Sequence, residues 1–99
     1  MKRSWVKKVN VEMKLNQAKL MLENILSDPR VPRNIKRAVQ EALNYLADEN
    51  MEIEIRASSA ISVLDEISTD VNMPLYTRTQ IWNIVTMLEE VRSKIRKKK

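Results

Sequence analysis

Few of the residue types in this chain can do chemistry. Its 99 residues include no His, no Cys and no Gly. Without His, the commonest general base and metal ligand is missing; without Cys there is no thiol nucleophile, disulfide or thiolate metal site. Without Gly, the loops that cradle phosphates cannot be built in their usual form, and turns that need positive φ become costly. Carboxylates and cations remain. Asp48, Glu49, Glu52 and Glu54 make a dense acidic turn, but it lacks the spacing and the Gly of a calcium loop, so a solvated turn is expected. Asp65 and Glu66 are adjacent, which on a helix points them about 100° apart and makes no catalytic pair. The composition predicts a protein that is not an enzyme and needs no cofactor, metal or small-molecule substrate.

The cations are better organised. The formal net charge of +5 divides into +4 over residues 1–8 (Lys2, Arg3, Lys7, Lys8), +6 over residues 92–99 (Arg92, Lys94, Arg96, Lys97, Lys98, Lys99) and −5 over the rest. An acidic body thus carries two basic ends. Cations at a helix C-terminus suit the dipole, so part of the last run can serve stability; the alternative is contact with a phosphate backbone. Trp5 sits among the N-terminal cations. It can cover an open end of the core, stack on a base or meet a membrane interface. Arg30, Arg33, Lys36 and Arg37 gather where a second helix should begin, and there the dipole disfavours them. Either Asp28, Asp70 or Glu41 compensates them, or they receive an anionic partner.

Positioning these groups falls to four helical segments. Apolar residues recur at spacings of 4 and 3 in each: Val11, Leu15, Ala18, Leu22 and Ile25; Ile35, Val39, Ala42 and Leu46; Ile53, Ala57, Ala60, Leu64 and Ile67; Ile81, Ile84, Leu88, Val91 and Ile95. Such stripes belong to amphipathic helices in a bundle. Pro29 and Pro32 end the first helix, Asn50 offers a left-handed cap to the second, and Asp70 to Pro74 separate the third from the fourth. Thr77 and Gln80 have capping-box spacing, although Pro74 suits an earlier start as well. The reading predicts one domain over residues 1–99, with helices near 5–27, 32–48, 52–69 and 74–96. No apolar run approaches the ~18 residues of a membrane span, so no membrane partner is expected. Around the fourth helix lie Met73, Leu75, Tyr76, Trp82 and Met87. These either fill the core, with Trp82 against the first helix, or form a protein interface.

The stretches SDPRVPRNIKRA (27–38) and TDVNMPLYTRTQ (69–80) echo each other at an offset of 42 residues. The offset pairs Asp28 with Asp70, Pro32 with Pro74 and Leu46 with Leu88. A two-helix unit of this length resembles a HEAT repeat, with IKRAVQEAL (35–43) similar to the second helix of such units and Asp28 at the place of their turn Asp. The fold class is therefore all-α: two helical hairpins, arranged as a HEAT-like repeat pair or as a compact four-helix bundle. In this register Arg78 matches Lys36, while Arg33 pairs with Leu75 and Arg37 with Thr79.

A second resemblance is more specific. The stretch RASSAISVLDEISTDVNMPLYTRTQIWNIVTMLE (56–89), together with VPRNIKRA (31–38), resembles the core signature of a family of small archaeal proteins of uncharacterised function. The similarity spans most of residues 15–89 and leaves the basic ends outside. It implies an all-helical fold and an archaeal, cytoplasmic source, and it transfers no catalytic residue. The combined expectation is a helical interaction module that binds a protein partner or itself. The alternative is an RNA- or ribonucleoprotein-associated protein gripping phosphates through its basic ends.

Overall fold

A computed structural model describes the backbone over residues 2–96 and side chains over residues 10–95. Four helices follow in order, α1 (Lys2–Leu26), α2 (Arg33–Ala47), α3 (Ile53–Ile67) and α4 (Leu75–Arg96), with no strand among the described residues. The apolar stripes form the core: Leu15, Leu22 and Ile25 from α1 meet Ile35 and Leu46 from α2, Leu64 from α3, and Ile81, Ile84 and Leu88 from α4. Full burial of each such side chain stabilises by roughly 1.5–3 kcal/mol. The fully buried small residues Ala18, Ala42, Ala57 and Ala60 sit among them.

Helix α1 packs on α2 and α4, and α3 packs on α2 and α4. Among the described residues, no Cα of α1 comes within 8 Å of one in α3, nor any of α2 within 8 Å of one in α4. A HEAT-like stack would bring those very pairs together, so the arrangement is the closed four-helix bundle. With only two hairpins, closure of α4 onto α1 covers apolar faces that a two-repeat stack would leave open.

Three turns connect the helices, and all three are built alike. Asp28 Oδ1 accepts the Arg30 N–H (2.9 Å), Asp48 Oδ1 the Asn50 N–H (3.0 Å) and Asp70 Oδ1 the Asn72 N–H (2.8 Å). The carbonyls of the same Asp residues accept from Val31, Met51 and Met73, each at 3.2 Å. These are Asx turns, in which a side-chain oxygen takes the place of a backbone acceptor. No described residue has positive φ. The left-handed cap expected at Asn50 is therefore absent, and Asp48 performs the reversal instead. Val31 and Met73, three residues after their Asp, plug the core at 5% exposure, so Met73 is not a surface residue. The capping box does not form either: α4 starts at Leu75, Thr77 is buried, and the Gln80 Oε1 lacks a hydrogen-bond partner.

Eight residues after each Asp stands a cation: Lys36, Arg56 or Arg78. Arg56 Nε donates to the Met51 carbonyl at 2.7 Å. Arg78 donates to the carbonyls of Ser68 and, at 3.1 Å, Asp70. Helix α3 has no basic residue in its own last turn, so Arg78 supplies from α4 the positive charge that the C-terminal carbonyls attract. The two elbows lie at one end of the bundle, tied by Asn34 Nδ2 donating to Asp70 Oδ2 at 2.6 Å. The Asp48 turn lies at the other end. The unit of repetition is thus one turn with its following helix, and the 42-residue echo spans two of them.

Two outcomes follow from the turns. Arg78→Ala should lower unfolding free energy by about 1.5–3 kcal/mol, the range for hydrogen bonds made by a charged group, measured by urea denaturation. The Asp28 carboxyl is held below its usual value by hydrogen bonds from the Arg30 side chain and then from its N–H. A lowered native value gives stability that is present above the unfolded value of ~3.9 and disappears as pH falls through the native one. Wild type should exceed Asp28→Asn in urea midpoint at pH 6, and this advantage should shrink below pH 4.

Candidate functional site

The antiparallel pairing of α1 and α4 brings the first residues of one to the same end as the last residues of the other. Lys14 Nζ lies 3.1 Å from Glu90 Oε1 and marks their register. The backbone at Lys2, Arg3, Lys7, Lys8 and Arg96 is helical. Their side chains, that of Trp5, and Lys97, Lys98 and Lys99 entirely lie outside the described residues. Of the described cations at this end, Arg92 is half-buried and donates to Ser58 Oγ of α3 at 3.3 Å. It therefore braces α4 against α3. Lys94 is half-buried near Lys14 and Glu90. The acidic turn is at this end too, with the Asp48 Oδ1 occupied by the turn itself. Among the described residues no three carboxylates gather closely enough to hold a metal ion. Asp65 faces the α3–α4 groove, beside the exposed Glu66.

The opposite end carries the cluster at the first elbow. Only Arg30 is compensated: its Nε and one terminal nitrogen reach Asp28 Oδ1 and Oδ2 at 3.1 and 3.0 Å. Asp70 accepts from Asn34 and Asn72 instead. Arg33 and Arg37 are exposed and Lys36 half-buried. None of their three side chains makes a hydrogen bond or salt bridge among the described residues. The first turn of α2 contains no acidic residue, and Pro32 provides no side-chain cap. The dipole penalty on Arg33 and Arg37 therefore stands without an ion pair, while the nearby Asp28 charge partly offsets that on Lys36.

A third surface runs along α1 and α4. Trp82 does not pack on α1; it is 73% exposed beside a 410 Å³ groove between α3 and α4 that is floored by Ile81 and Val85. Leu75 and Tyr76 are exposed, and Met87 is half-buried against the core. Between 75 and 86 the exposed positions of α4 are Leu75, Tyr76, Thr79, Trp82, Asn83 and Thr86, none of them charged. On α1 the exposed positions between Glu12 and Glu23 are Met13, Asn16, Gln17 and Leu20, again without charge. Met13 and Leu20 escaped the sequence reading. They stand seven residues apart on the polar side of the stripe, and that spacing was the available signal.

Among the described residues no helix is long and apolar enough to cross a membrane. A family model described as "Uncharacterised protein family (UPF0147)" matches residues 1–91, so the N-terminal basic segment falls within the family match and residues 92–99 fall outside it. A UPF0147 protein of Sulfurisphaera tokodaii is 49% identical over 81 residues, covering 82% of this chain and 91% of the relative. One from Desulfurococcus amylolyticus is 49% identical over 80 residues, covering 81% and 88%. The crystal structure of an unknown-function protein, MMP1188, superposes with a TM-score of 0.75 at 51% identity, over 77% of this chain and 86% of that one. A UPF0147 structure from Thermoplasma acidophilum gives a TM-score of 0.79 at 28% identity, over 83% and 96%. With the family model spanning the whole bundle up to Val91, the chain belongs to the uncharacterised protein family UPF0147.

Proposed function

We propose that the chain is a non-enzymatic, cytoplasmic interaction module whose α1–α4 face receives a protein partner or a second copy of itself. The observation that carries this reading is the absence of charge at every exposed position of α1 from 13 to 20 and of α4 from 75 to 86, in a chain that is 31% charged; the nearby Lys14 is paired with Glu90. Desolvating such a face strands no ion, and interface cores are depleted of charge and enriched in Tyr, Trp and Met. Met13, Leu20, Leu75, Tyr76 and Trp82 supply the apolar area. Helix α4 joins this face to the α3–α4 groove, where Asp65 and Glu89 would orient a partner through polar contacts at its edge.

The antiparallel pairing of α1 and α4 supports a second reading. It places the backbones of residues 2–8 and 92–96 at one end, where the charges of the basic segments could act together on an RNA or ribonucleoprotein phosphate backbone. Neither reading requires a cofactor.

Complexes recovered from the native cell, together with the mass of the pure protein by sedimentation equilibrium, test the two readings. Leu20→Glu with Trp82→Glu should abolish the protein complex or the oligomer. Both sites are exposed, so stability should change by no more than about 0.5 kcal/mol per site. Replacing the six cations of residues 92–99 with Gln should leave that complex intact. Under the second reading the outcomes reverse, and the Gln variant loses salt-sensitive RNA. A complex untouched by the Glu variant contradicts the first reading.

A further inference from the structure

The three equivalent turns act as internal controls for one another. Each has an Asp, an apolar residue three positions later and a cation at the eighth. The first elbow carries more. Two residues after the Asp it has Arg30 where the others have Asn50 and Asn72; five after, Arg33 against Ile53 and Leu75; nine after, Arg37 against Ala57 and Thr79. The backbone hydrogen bonds are nonetheless the same at all three turns. The additional cations are therefore not required by the reversal. The cation in the eighth position also differs: Arg56 and Arg78 bond carbonyls, whereas Lys36 bonds none among the described residues. The side chains of Arg33, Lys36 and Arg37 thus make no salt bridge among the described residues, at a helix start that repels them, and only Lys36 is near enough to Asp28 to feel its charge.

Next to this cluster stands an aromatic residue. The Asn34–Asp70 hydrogen bond ties the two elbows, and Tyr76, 63% exposed in the first turn of α4, lies within electrostatic reach of Arg30. Guanidinium groups match phosphate oxygens in geometry and charge. An exposed ring beside them can stack on a base, but only on one that is not paired in a duplex.

We propose that the first elbow, through Arg33, Lys36 and Arg37 with Tyr76, is a docking site for single-stranded nucleic acid, the cations holding the phosphates and the ring stacking on one base. The site shares Tyr76 with the edge of the outer face, but its cations lie away from Leu20, Trp82 and the basic ends, so it rests on neither reading above. An acidic peptide would satisfy the cations but leave the ring unused.

Fluorescence anisotropy of the full chain with a labelled 12-nucleotide single-stranded RNA, titrated at several salt concentrations, tests it. Arg33→Gln/Lys36→Gln/Arg37→Gln should weaken binding and reduce the log–log salt slope by about 2, since each phosphate neutralised on a single strand contributes roughly 0.7. Tyr76→Ala should weaken binding about 5- to 150-fold, the range for losing one base–aromatic stack, with the slope unchanged. Tyr76→Phe should restore the affinity. The triple variant should melt no lower than wild type, because it removes charges that the α2 dipole repels. The proposal is overturned if the chain fails to bind the RNA or binds its duplex form equally well. It also fails if the triple and Tyr76→Ala variants bind as wild type does, or if a poly-glutamate peptide competes with the RNA at equal affinity.

Discussion

Each reversal of this chain depends on a carboxylate accepting the N–H two residues ahead of it. A protein without Gly cannot use the left-handed residue that ends many helices at low cost. Asp28, Asp48 and Asp70 replace it with a side-chain acceptor, and all described backbone angles stay in ordinary regions. The same geometry then seats Val31 and Met73 in the core and aims the first turn of the next helix. Where the following cation bonds carbonyls, as Arg56 and Arg78 do, it also neutralises the negative end of the preceding helix or the turn beyond it. The Asx reversal is therefore used three times, with a core plug added at Asp28 and Asp70 and a carbonyl-bonding cation added at Asp48 and Asp70.

Closure of the bundle determines what is left for binding. Because α4 packs on α1, the apolar stripes are enclosed on all sides and the outer faces become free to vary. Those faces divide by chemistry. The exposed outer positions of α1 from 13 to 20 and of α4 from 75 to 86 are uncharged and carry Trp, Tyr, Leu and Met; the first elbow is cationic; the opposite end combines an acidic turn with the helical backbone of residues 2–8 and 92–96. Separation of this kind lets one small domain hold an apolar partner surface and an anion-binding surface without either disturbing the core.

The stripes, the Pro-marked breaks and the all-helical class were legible because periodicity is a local property. Ala18, Leu22, Ile25, Val39 and Leu88 all lie where their spacing placed them. Closure was not legible, because the same stripes fit a stack or a ring and only the packing of α4 on α1 distinguishes them. The middle turn was read as an acidic helix end and not as a third elbow, since Glu52 stands where the other two show Pro32 and Pro74. The Asp, the apolar residue three later and the cation eight later were nevertheless present in the sequence. Met73 stayed open between core and interface because it sits in a turn, outside the apolar stripes, and its plug role depends on a turn geometry that apolar spacing does not encode. For the cations at the first elbow, the sequence left compensation by Asp70 open; the geometry shows Asp70 engaged with Asn34 and Asn72.

The equivalence of the three turns is the claim from which both the architecture and the excess charge of the first elbow follow. Equilibrium denaturation of Asp48→Ala beside Asp70→Ala tests it most directly. The account predicts losses of about 0.5–1.5 kcal/mol for each, the usual range for one intramolecular hydrogen bond, and of similar size despite the absence of Pro from the middle turn. A neutral Asp48→Ala next to a destabilising Asp70→Ala would contradict it, and would return the repeat to a feature of the two elbows alone.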